Sequence, residues 1–189
     1  MNYEMLKFAK QALKDVSDTC EILQDKGWID LKHSSLRMKD ILLHDISEYI
    51  LYIIAADGSI NIHEVETFRY ITEYGGDTVA SLKEYIEENS NVQSYSFQSE
   101  PPFSLRLLVD ATNSYLRSNP DADELMRHTF ERYIILFGVV GKETMESDRS
   151  VPFAERNKFI TYLSTIKQYI EEYSYVTLGD QSLKLLDSL

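Results

Sequence analysis

The stretch that decides the fold is Tyr49-Ile50-Leu51-Tyr52-Ile53-Ile54-Ala55-Ala56-Asp57-Gly58-Ser59-Ile60-Asn61-Ile62-His63-Glu64. It opens as an apolar run from Tyr49 to Ala56, breaks at Asp57-Gly58, and restarts at Asn61 with Glu64 three residues on. Asn followed by Glu at that spacing is a capping box, in which each side chain accepts an orphan backbone N–H of a helix start. Upstream, Leu42, Ile46, Tyr49, Ile50 and Ile53 recur at helical spacing, which predicts a helix from about Ser35 to Ala56. Near its C-terminal end that helix is apolar on most sides, so it is expected to be central. Downstream, Val65, Phe68 and Ile71 give the buried face of the next helix, which Gly75-Gly76 is expected to end. The unit is helix, tight acidic loop, helix.

The same periodicity extends outward in both directions. A first helix is predicted from about Tyr3 to Leu23, with Leu6, Ala9, Leu13, Val16, Cys20 and Leu23 in step. Gly27 can take the left-handed position after it, letting Trp28 fold back on Leu23. A fourth helix covers about Asp77 to Asn89 through Val79, Leu82 and Ile86. Ser90 to Phe103, polar and closed by Pro101-Pro102, reads as a linker whose Tyr95, Phe97 and Phe103 keep it against the body. A fifth helix runs from about Ser104 to Ser118, and Asn119-Pro120 is expected to cap and open a long sixth reaching about Ser147. That sixth helix holds the other apolar run, Tyr133 to Val140, and the pair Gly138 and Gly141, spaced to let another helix approach closely. Ser150-Val151-Pro152 opens the seventh, with Phe159, Leu163, Ile166 and Ile170, and the tail carries Leu183, Leu185, Leu186 and Leu189 as a short helix. No strand-like alternation of useful length occurs. The prediction is an all-α bundle of about seven helices in a single domain, 1–189, with halves at about 1–89 and 104–175, a linker at 90–103 and a tail at 176–189.

Composition bounds the rest. The 189 residues are 43% hydrophobic and 26% charged, the balance of a globular domain. Apolar runs of eight residues fall short of the roughly twenty that a membrane span needs. The first residues lack a basic region followed by an apolar stretch, so no secretory signal is read, and a cytoplasmic, non-transmembrane protein is expected. Cys20 is the only cysteine, which excludes an internal disulfide or thiolate zinc cluster and suits a reduced compartment. The net charge of −12 is uneven: residues 1–40 balance seven bases with seven acids, and the remainder carries all the excess. Such a body repels phosphate backbones, so nucleic acid is not an expected partner. It attracts cations or a basic protein surface. Charge kept for solubility explains it equally well.

The acidic loop has an echo. Asp57-Gly58-Ser59-Ile60 with Glu64 and Phe68 aligns with Asp148-Arg149-Ser150-Val151 with Glu155 and Phe159. Read as a calcium loop, Asp57 at position five puts Gly58 at six, Ile60 at eight and Glu64 at twelve. Positions one and three are then Ile53 and Ala55, which offer no side-chain oxygen; in the second copy they are Thr144 and Glu146 and Arg149 replaces the glycine, so neither copy is an EF-hand. A looser site for calcium or magnesium, using Asp57, Glu64, Asp148 and Glu155, stands beside a capping role for the same acids at helix starts. Glu143, Glu146 and Asp148 add acidity expected to be solvated.

The string Ala55-Ala56-Asp57-Gly58-Ser59-Ile60 followed by Glu64 resembles the signature of the TerB-like (tellurite-resistance) helical family. Gly141-Lys142-Glu143 leading to Asp148 and Glu155 resembles that family's second half, and the similarity reaches from about Ser35 to Glu172. The resemblance implies a helical bundle of two related halves, with acidic residues that bind divalent metal in some members. It also implies a setting in bacterial stress-response and defence-related proteins, or beside J-domains in co-chaperones. Arg149 in place of Gly and the Ser90–Phe103 insertion depart from the simplest pattern, and weigh against metal at the second loop.

Enzyme signatures are missing. His63-Glu64 would need a second His at position 67, which is Thr67, so a zinc-protease helix is excluded. His33, His44 and His128 have no companions at ligand spacing, and His44 with Glu48 is a common surface pair. The expected function is a non-catalytic adaptor or regulatory domain that binds a protein partner. The alternatives are a divalent-cation-binding regulator and, more remotely, a metal-dependent hydrolase. Tyr85, Tyr95 and Phe97, and Tyr169, Tyr173 and Tyr175, suit either an interface or the core.

Overall fold

The computed structural model describes residues 2–31, 35–56, 59–88, 100–145 and 153–179. All regular structure among them is helical: α1 (Tyr3–Asp25), α2 (Met38–Ile54), α3 (Ile62–Thr72), α4 (Val79–Glu88), α5 (Phe103–Ser118), α6 (Asp123–Met145) and α7 (Phe153–Tyr173). A short 3-10 turn, Pro120–Ala122, joins α5 to α6. The all-α expectation is met. None of these helices is long and apolar enough to cross a membrane. The acidic loop residues Asp57, Gly58, Asp148 and Arg149, the start Ser150–Pro152, most of the linker (Tyr95 and Phe97 included) and the tail leucines lie outside the described residues.

Both apolar runs are the centre. α2 packs on α1, α3, α5, α6 and α7, while α6 packs on α1, α2, α3 and α7. The neighbour pattern follows the internal echo, pairing α1–α2–α3 with α5–α6–α7. The contact α1–α6 has its counterpart in α5–α2, α3–α6 in α7–α2, α2–α3 in α6–α7, and α1–α3 in α5–α7. α4 packs on α3 and contributes Leu82 to the core.

Helix ends obey local chemistry, with two corrections. Gly27 is left-handed at φ 79, and the Trp28 N–H donates to the Leu23 carbonyl at 2.8 Å, the Schellman closure expected after α1. Gly75-Gly76 does not end α3. Thr72 is its last residue, and Glu73 takes the left-handed position at φ 60, a conformation that costs a non-glycine residue roughly 1 kcal/mol or more. Asn119 does not cap α6 either. Its side-chain amide donates back to the Tyr115 carbonyl at 3.0 Å and closes α5 instead. Glu143 is also not solvated: it is buried and accepts the Asn2 N–H at 2.8 Å, tying the start of α1 to the end of α6.

The core is held by a column of rings. Tyr133 stacks on Phe137 at 4.9 Å, Phe137 meets Tyr49 at 5.2 Å, and Tyr49 stacks on Tyr162 at 4.9 Å. This joins α2, α6 and α7 through one continuous surface. Gly141 makes the approach possible, since a Cβ there would meet the Tyr49 hydroxyl and the Phe159 ring. Ala at this position gains roughly 1 kcal/mol of helix propensity. Overpacking typically costs about 1–3 kcal/mol, and here it is set against buried aromatic groups. Gly141→Ala is therefore expected to lower the unfolding free energy measured in urea; a variant as stable as the parent would mean that Tyr49 and Phe159 move aside freely.

Candidate functional site

The expected ligands separate into those that the structure places and those outside it. Glu64 is 1% exposed and works as a cap: Asn61 Oδ1 accepts the N–H groups of His63 (2.9 Å) and Glu64 (3.1 Å), and Glu64 Oε2 accepts the Asn61 N–H at 2.7 Å. Glu155, at the matching position of the echo, is 0% exposed in the first turn of α7. One turn on, the Lys158 ammonium donates to the Tyr52 carbonyl at 3.0 Å and lies 4.1 Å from the Tyr52 ring centre. It thereby satisfies an orphan carbonyl in the last turn of α2. Burial pulls the Lys158 pKa down, and the charge of Glu155 opposes that shift. α3 and α7 each pack on both α2 and α6, but the structure does not place Asp57 or Asp148. Among the described residues no group of three or more His, Cys, Asp or Glu side chains is disposed to hold a metal ion.

A different acid carries a built environment. Asp45, on α2, is 7% exposed, and its Oδ2 accepts the Ser104 N–H at 2.7 Å. Ser104 lies in the first turn of α5, so this carboxylate sits at the positive end of that helix. The Ser104 hydroxyl in turn meets the Tyr133 hydroxyl at 2.8 Å, linking α2, α5 and α6 through buried polar atoms. Burial raises the Asp45 pKa, while the hydrogen bonds from Ser104 and the charges of His44 and Arg106 pull it back. Glu48, one turn along, is raised by burial and by Asp45, with His44 opposing. Its pair with His44 forms as expected, at 3.3 Å. A signal for Asp45 was present in the chain, because it interrupts the apolar stripe between Leu42 and Tyr49. Helical spacing alone does not name Ser104 as its partner.

These acids open onto a cleft of about 130 Å³ where α2, α5 and α7 meet. Asp45 and Glu48 line it with the Phe103 and Tyr162 rings, Pro101 and Pro102, and Glu100 and Arg106. The Arg106 guanidinium lies 5.4 Å from the Phe103 ring centre and 3.9 Å from Glu100. Beyond the cleft α5 packs on α7, with the Asn113 amide donating to the Tyr173 carbonyl at 2.7 Å. Asp110 and Arg106 act electrostatically on Tyr169, whose ring lies 4.8 Å from that of Tyr173. In the last turn of α5 the Arg117 guanidinium donates to the Tyr175 hydroxyl at 2.7 Å and lies over that ring. Of the aromatic clusters, Tyr85 packs inward on Phe68 and Tyr74, whereas Tyr173 and Tyr175 are exposed.

Compared with models of protein families, with curated proteins and with solved structures, the chain gives no match.

The buried Asp45 sets a pH dependence. Its folded pKa is raised above the unfolded one, so the folded state holds the proton more tightly. Stability from this group is present below the ordinary carboxylate range and is lost as pH rises through the raised value. Asp45→Asn keeps an acceptor for the Ser104 N–H and removes the titration. The unfolding free energy of the parent minus that of Asp45→Asn is therefore expected to fall as pH rises from the ordinary carboxylate range through the raised value, and to level off beyond it. A flat difference would show that Asp45 titrates as an ordinary surface acid.

Proposed function

We propose that this chain is a non-catalytic interaction module that binds a basic surface of a protein partner. It acts as an adaptor or regulator, in the TerB-like manner, within a bacterial stress-response or defence assembly. The observation that supports the reading is the placement of charge. Among the described residues the side chains of Lys10, Lys26, Arg106, Arg117, Arg132 and Lys158 lie 4.1–6.0 Å from aromatic ring centres of the same chain. Acids instead stand exposed at helix ends, as Glu84, Glu87 and Glu88 on α4, Asp121 to Glu124 around the start of α6, and Glu171 and Glu172 on α7. With a net charge of −12, these exposed acids give the surface a negative face that attracts a basic protein surface. The setting is supported by the sequence resemblance.

A labelled Lys/Arg-rich peptide is expected to bind in roughly 50 mM salt, with affinity falling steeply by roughly 300 mM as screening sets in. An acidic peptide of equal length is expected not to bind. Fluorescence anisotropy reads both, and equal behaviour of the two peptides would end the proposal.

A second reading, a divalent-cation-binding regulator, rests on the paired acidic loops of the sequence, whose Glu64 and Glu155 are buried at matching positions. Calcium, magnesium and zinc titrations by calorimetry test it. Binding heat that Glu155→Gln abolishes supports the cation, whereas heat that this variant leaves intact places any bound ion elsewhere.

A further inference from the structure

We propose that the cleft between α2, α5 and α7 receives a lysine or arginine side chain of a basic partner segment, with the rest of that segment lying along Tyr169 and Tyr173. This rests on the reading of a basic protein partner and gives that partner a place to dock.

The cleft has the two parts that such a side chain requires. Long basic side chains bury an apolar stem and keep a charged head in a polar setting. Here Phe103, Tyr162 and the Pro101-Pro102 pair supply apolar wall, while Asp45, Glu48 and Glu100 supply carboxylates. The volume of about 130 Å³ is well above what one water needs and admits a cationic head. Charge complementarity favours a cation over any other occupant, since three carboxylates face a single guanidinium, with His44 paired to Glu48 at the edge.

The molecule's own Arg106 demonstrates the chemistry. Its guanidinium already lies over Phe103, yet its closest carboxylate contact is the loose 3.9 Å approach to Glu100. Its Nε is buried without a hydrogen-bond partner among the described residues. Among the described residues Arg106 forms no ion pair with the deeper acids; Asp45 accepts the Ser104 N–H and Glu48 pairs with His44, and an incoming cation would add to these contacts. Independently, the α5–α7 side beyond the cleft offers Tyr173 at 57% exposure beside Tyr169, on which Asp110 acts electrostatically. In the last turn of α5 Arg117 is stacked on Tyr175, so rings here accept guanidinium groups. A segment with basic residues spaced along it would meet acid and ring alternately.

The test is anisotropy of a labelled Arg/Lys peptide on the full chain, with folding of each variant checked by its thermal melt. Glu48→Gln with Glu100→Gln is expected to weaken binding about tenfold, and Tyr173→Ala about threefold, as for charge pairs and aromatic anchors at an interface. Neutralising three acids on α4, by Glu84→Gln, Glu87→Gln and Glu88→Gln, is expected to change affinity less than about twofold. Arg106→Gln supplies a gain that misfolding cannot imitate. Removing the resident cation is expected to tighten binding about threefold, whereas Arg69→Gln on α3 leaves it unchanged. If the α4 variant weakens binding as much as the cleft variant, or Arg69→Gln tightens it as much as Arg106→Gln, attraction is diffuse. The cleft assignment then falls while the basic-partner reading stands. If the parent chain binds no basic peptide at all, both fall.

Discussion

The bundle depends on one close approach. Gly141 gives α6 a bare stretch of backbone, and Tyr49 of α2 and Phe159 of α7 fill the space where a side chain would stand. The rings around that point then stack in sequence, from Tyr133 through Phe137 and Tyr49 to Tyr162. Because stacking fixes distance and tilt, it sets where α2, α6 and α7 cross. The outer helices follow, with α1 lying along α6 and α5 along α2, each covering an apolar side that the central pair leaves open.

A polar link is laid into this apolar frame. Burying the Asp45 carboxylate opposes its charge, and the cost is offset by the Ser104 N–H at the start of α5 and by the nearby Arg106. The arrangement orients α5 on α2, since one buried acceptor has one good donor within reach. It also leaves the cleft beside it acidic. Structure and recognition chemistry are thus coupled at the same residue: the carboxylate that seats α5 also lines the cleft proposed to take a basic side chain.

Local chemistry was legible in the chain wherever a few neighbouring residues suffice. The Asn61–Glu64 box, the Gly27–Trp28 closure and the two apolar runs formed as read, because each depends on contacts within about two turns of helix. Readings failed where two local outcomes compete. Asn119 can cap forward or bond back, and it bonds back to Tyr115. Gly75-Gly76 is a strong stop, but Thr72 already ends α3 and leaves Glu73 in the left-handed region. Glu143 looked like solvated acidity, yet the start of α1 folds over it.

By itself, then, the sequence determined the helical class, the order of the helices, the central place of the two apolar runs and the acidic excess. All of these follow from spacing and composition along one chain. Only the tertiary structure decided that Gly141 is filled by Tyr49 and Phe159, that Ser104 answers Asp45, and that Glu48, Glu100, Phe103, Arg106 and Tyr162 border one cleft. The physical reason is separation. Each of these groups meets a partner more than fifty residues away or on another helix, and periodicity records which face of a helix is buried without recording what it is buried against.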